Sequence, residues 1–193
     1  VLGSGNISEV LTGDIIIGSA SAGGRTVSGL RTGSGTVSVS TDGDLTVDEA
    51  VEASGAGNDV TLTTTGSGNI AVNALIQSDD AVILDSAGAI TDGDGLNNVD
   101  AVSLAATALN GIELDTEVGT LSAINSGTGA VDISNGGGAL TTVTTATTNN
   151  GTVTLANTGG ALTVTTATAQ GADNDLTITN SGGALTVGTA TTT

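Results

Sequence analysis

The chain is predicted to be all-β, a right-handed parallel β-helix of about 22 residues per turn and roughly eight turns. Three observations in the sequence predict this. Short apolar-x-apolar pairs recur at near-constant spacing. One plain phrase returns three times, as GGALTTVTTATT from Gly137, GGALTVTTATA from Gly159 and GGALTVGTATTT from Gly182. And none of the 193 residues is Phe, Tyr, Trp, Met, Cys, His, Pro or Lys.

The pairs are Ile15/Ile17, Val37/Val39, Val60/Leu62, Val82/Leu84, Val102/Leu104, Val131/Ile133, Val153/Leu155 and Leu176/Ile178. Their first members step along the chain by 22, 23, 22, 20, 29, 22 and 23 residues. The long step marks residues 118–128 (VGTLSAINSGT) as a local insertion in one continuous segment, residues 1–193. A second set follows at Leu45/Val47, Ile70/Val72, Ile90, Ile112/Leu114, Leu140/Val143, Leu162/Val164 and Leu185/Val187. A third, weaker set of small residues completes many units: Val51–Ala53, Leu75–Gln77, Ala146, Ala167 and Ala190. Between the sets sit turn formers: GSGN at Gly3 and Gly66, TDGD at Thr41 and Thr91, and NNG at Asn149.

Alternation with period two sends successive side chains to opposite faces, so each pair reads as a short strand with one buried face. Val, Ile and Thr fit a pleated surface, whereas frequent Gly with Thr and Val makes a poor helix. Such short strands cannot bury their aliphatics alone, but stacked coils can. Val37 is then expected over Ile15 and under Val60. Eight coils ~4.8 Å apart give a rod of roughly 40 Å. A β-sandwich also has regularly spaced short strands, but nothing in it calls for the same residue at the same phase of a constant repeat. The bore of a coil is too narrow to need aromatics, and Gly-Gly marks corners where positive φ is sterically free.

The formal charge is −18, from 20 acids against Arg25 and Arg31, which are expected to pair with neighbouring acids. Nucleic acid is excluded as a partner, because binding it needs a basic surface. Anionic membrane surfaces are disfavoured for the same reason, and no apolar run is long enough for direct membrane insertion. The partners that such a charge attracts are metal cations, although mutual repulsion in a soluble chain is the readier explanation. Absence of Cys removes disulfide and thiolate chemistry. Val1 is followed by no signal-peptide pattern, and the last unit is as regular as those before it. The chain is therefore expected to be a piece of something longer, or to stack end to end.

Residues 91–100, TDGDGLNNVD, form an acidic turn whose Asp92, Asp94, Asn98 and Asp100 are candidate calcium ligands. Calcium takes several oxygen ligands, and a DxD followed by more Asn and Asp can provide them. No Glu closes the loop as in an EF-hand, and Asp, Asn and Gly are also what tight turns are made of. Asp42, Asp44 and Asp48 repeat the pattern more weakly, and Asp173 and Asp175 read as turn residues. Outward Thr-x-Thr pairs (Thr61/Thr63, Thr152/Thr154, Thr163/Thr165, Thr177/Thr179) raise the question of ice binding. Thr36/Ser38, Ala101/Ser103 and Ala130/Asp132 break that ladder. Catalysis is not expected. His, Lys and Cys are missing, and the adjacent Asp79 and Asp80 would point to opposite faces of a strand rather than across one bond.

The stretches GNDVTLTTTGSGNIAVNALIQ (57–77) and NGTVTLANTGGALTVTTATA (150–169) resemble the passenger repeats of large secreted bacterial surface proteins. The filamentous-haemagglutinin-like adhesins of two-partner secretion are the family in question. The resemblance implies a long β-helical fibre, secreted to the bacterial cell surface or beyond it, with a structural and adhesive role. A calcium-dependent extracellular binding module is the alternative. From Ile133 to Ala172 no residue is charged, and there the rod is expected to touch another copy or a partner.

Overall fold

A computed structural model describes residues 3–136, 142–172 and 174–193. Among the described residues there is no helix, and 19 strands join in one sheet whose neighbouring strands run parallel. The sheet is wound into a β-solenoid of about seven turns with about 22 residues in each.

Stacking of like on like builds the interior. On one face Ile7, Val37, Val60, Val82 and Leu104 are register partners in succession. Leu121, Val143, Val164 and Val187 continue that column. A second column runs Ile15, Leu45, Ile70, Ile90 and Ile112, then Val131, Val153 and Leu176. The third face opens with Leu30, Val51, Ile76 and Val99. Val37, Val60 and Val82 have no exposed surface, and burying such a side chain is worth about 1.5–3 kcal/mol. Repeated coil after coil, these contacts make a continuous aliphatic spine without any ring.

The columns correct several expectations. Ile15 does not lie under Val37; it starts the second face, and Ile7 takes the place beneath Val37. Val102 is 59% exposed, and Leu104 is the partner of Val82. Residues 118–128 are no insertion. They belong to the strand Ile112–Thr128, with Val118 beside Ala101, Leu121 beside Leu104 and Ala123 beside Ala106. The step from Leu104 to Leu121 is only 17 residues, because this strand rounds two corners without a loop. Ala146 and Ala167 consequently fall on the first face, in line with Ala123. Leu140, placed in the second set, and Asp173 lie outside the described residues.

The real excursion is in the first coil. Strands Ser19–Ala22 and Arg25–Ser28 form an antiparallel hairpin whose residues are all exposed. It accounts for the 30-residue step from Ile7 to Val37. The chain re-enters the coil at Gly29 (φ 67°), where an added Cβ would sit 2.1 Å from the Ala50 carbonyl oxygen. Only glycine tolerates both the backbone and the approach.

Candidate functional site

Asp92 ends the strand Ile90–Asp92 and points inward, at a position that Val47 and Val72 hold in the coils before it. A carboxylate thus enters an aliphatic column, where it needs hydrogen-bond partners to be tolerated. It has three. The backbone N–H of Asp94 and the Nδ2 of Asn98 donate to Asp92 Oδ1 at 3.3 and 3.1 Å. The backbone N–H of Asp115 donates to Oδ2 at 3.2 Å. Burial, the largest influence, raises the Asp92 carboxyl above its ordinary 3.8, and the backbone hydrogen bonds work against that shift.

Asp94 and Asn98 join Asp92 through the same amide. Asn98 Nδ2 also donates to Asp94 Oδ1 at 2.8 Å, while Asp94 Oδ1 accepts the backbone N–H of Leu96 at 2.9 Å. The turn therefore presents a donor, not an acceptor, to its two carboxylates. Asp100 stands apart on the third face, where Gln77 Nε2 donates to its Oδ2 at 3.2 Å. Of the four predicted ligands the structure unites three and separates one.

Stacking brings in other acids that linear spacing does not show. A groove of 310 Å³ beside the turn is lined by Asp92, Glu113, Asp115 and Asp132 among others. Glu113 and Asp132 are register partners on adjacent coils. Among the described residues no group of three or more acids is placed to hold a metal ion.

Several other acids serve the corners. Asp44 Oδ1 accepts the Asn69 N–H at 2.7 Å, and Asp14 Oδ1 accepts the Asp44 N–H at 3.0 Å, so one coil caps the next. Asp42 Oδ1 accepts from Gly13 N–H at 2.6 Å and Asp48 Oδ1 from Asn73 Nδ2 at 2.9 Å. Asp79 and Asp80 do not diverge. A register shift between Ser78 and Ala81 turns both to one loop, where they accept the N–H groups of Gly55 and Gly57 at 2.7 and 2.9 Å. Asp175 gives its backbone carbonyl to Val153 N–H at 2.9 Å. Arg31 pairs with Glu52 at 2.9 Å, whereas Arg25, on the hairpin, makes no ion pair among the described residues.

A buried amide ladder went unread in the sequence. Asn135 Nδ2 donates to Asn157 Oδ1 at 3.2 Å, and Asn157 Nδ2 donates to Asn180 Oδ1 at 2.8 Å. Thr116 Oγ1 heads it, donating to Asn135 Oδ1 at 2.9 Å. The signal was present: an Asn opens each of the segments NGGGALT, NTGGALT and NSGGALT at the same phase.

Comparison with protein-family models, with curated proteins and with solved structures finds no match. What the site can do rests on its own geometry.

Proposed function

We propose that this chain is a structural and adhesive segment of a large, secreted bacterial cell-surface or filament-forming protein, and that it is not an enzyme. The supporting observation is the parallel pairing that runs from the first described coil to the last, the continuous ladder from which a rod is built. Reach and rigidity are what a fibre needs, and Asp14, Asp42, Asp44, Asp48, Asp79 and Asp80 each tie one coil to the next. The test is immunogold labelling of source cells with antibodies against this chain. Label on fibres outside the cell is expected; label confined to the cytoplasm overturns the reading.

A second reading is a calcium-dependent extracellular binding module: Asp92, Glu113, Asp115 and Asp132 border one groove, although no three of them are placed to hold a metal together. The structural reading expects the same melting temperature with calcium and with EDTA. A fall of several degrees in EDTA, absent from an Asp92→Asn, Asp94→Asn variant, would transfer the assignment to calcium.

A further inference from the structure

Threonine is spread unevenly around this rod. On the outer side of the first face one rank runs Thr120, Thr142, Thr163 and Thr186 over the last four coils. A second runs Ile124, Thr147, Thr168 and Thr191. Between them Ser122 lies opposite Thr145, and Thr166 opposite Thr189. Among the described residues the hydroxyls of Thr147, Thr163 and Thr168 have no hydrogen-bond partner. Of the Thr-x-Thr pairs named in the sequence only Thr163 belongs to this array; Thr154 and Thr177 are register partners on the second face instead.

From Leu121 onward, no strand on this side carries a charge, although the chain totals −18. Two such rods repel wherever their acidic sides meet within a Debye length of about 10 Å. The threonine side is where they can approach. It is also self-matching. Coils repeat at ~4.8 Å in both copies, so methyls and hydroxyls of one array can interdigitate with the other at every coil, as in the interfaces of stacked sheets. Threonine, stiff at χ1, loses little freedom on contact.

We infer that this threonine array is the face on which a second copy of the chain packs side by side. The inference rests on the fibre reading, to which it adds the surface that bundles the rods. Four strands ~4.8 Å apart and about five residues long offer about 300 Å² per partner, short of the ~800 Å² of a standard interface. Pairing of this chain is therefore weak and concentration-dependent, and strengthens with every further coil.

Sedimentation velocity over a concentration series tests it, at roughly 0.05 M and roughly 0.5 M NaCl. Salt should strengthen pairing, because it screens the repulsion and there is no attraction between charges to weaken. Thr147→Asp with Thr168→Asp should weaken association about tenfold or more. Thr154→Asp with Thr177→Asp adds the same charge on the neighbouring face and should change it less than about twofold at the higher salt. Circular-dichroism melts establish that both variants fold. A chain monomeric up to about 1 mM in either salt overturns the inference, as does equal weakening by both variants. A monomeric chain that restrains ice-crystal growth would assign the array to ordered water and also overturn it. Extracellular label on a chain that does not pair leaves the fibre reading standing; pairing by a chain found only in the cytoplasm leaves the reverse.

Discussion

Asn157 shows how much one side chain can carry in this interior. It is 2% exposed, accepts from Asn135 and donates to both Asn180 and the Gly159 carbonyl. Asn157→Ala strands the buried Asn135 amide on one neighbouring coil and the half-buried Asn180 carbonyl on the other, and should lower stability by about 3 kcal/mol in urea unfolding. A loss below about 0.5 kcal/mol would mean the ladder is incidental. Asp92 acts through pH. Its folded-state value lies above 3.8, so within the window above 3.8 the folded chain holds more protons than the unfolded one. Stability is then gained as pH falls through that window and lost as pH rises through it. Asp92→Asn should flatten this slope just above pH 3.8 in urea midpoints; parallel slopes would refute the assignment.

At the scale of elements, corners rather than strands decide the register. Gly29 N–H donates to the Gly18 carbonyl at 3.2 Å, so the two ends of the hairpin excursion already touch. Deleting residues 19–28 should leave the first coil intact, with stability changed by less than about 1 kcal/mol, since the hairpin buries nothing. Unfolding of the first two coils in hydrogen exchange would contradict this. Core strands behave oppositely. Leu104 is 2% exposed at the centre of the stack, and Leu104→Ala should lower stability by about 2–5 kcal/mol, read from urea midpoints. Strand type was legible because Val-Ser-Val-Ser-Thr or Val-Thr-Leu-Thr-Thr alternates whatever its neighbours do. The excursion was not, because Ser-Ala-Ser-Ala and Arg-Thr-Val-Ser alternate too, and pair only with each other.

For the whole molecule, strand pairing among the described residues joins each coil to the coils beside it, and stability follows chiefly from nearest-neighbour terms. Amide exchange should be slowest around Val60, Val82 and Leu104 and fastest in the outer coils; uniform protection would point to a different cooperative unit. The candidate site follows the same logic. Asp92, Asp94 and Asn98 were legible as a group because one turn holds them. Glu113 and Asp132 were not, because their meeting depends on which coil lies on which. Alternation and a recurring Gly-Gly-Ala-Leu phrase determine, from the sequence alone, that this chain coils upon itself around aliphatic columns. Which residues share a column was decided only by the tertiary structure. A corner can gain or lose several residues without disturbing the pattern on either side of it, so local periodicity is silent about register.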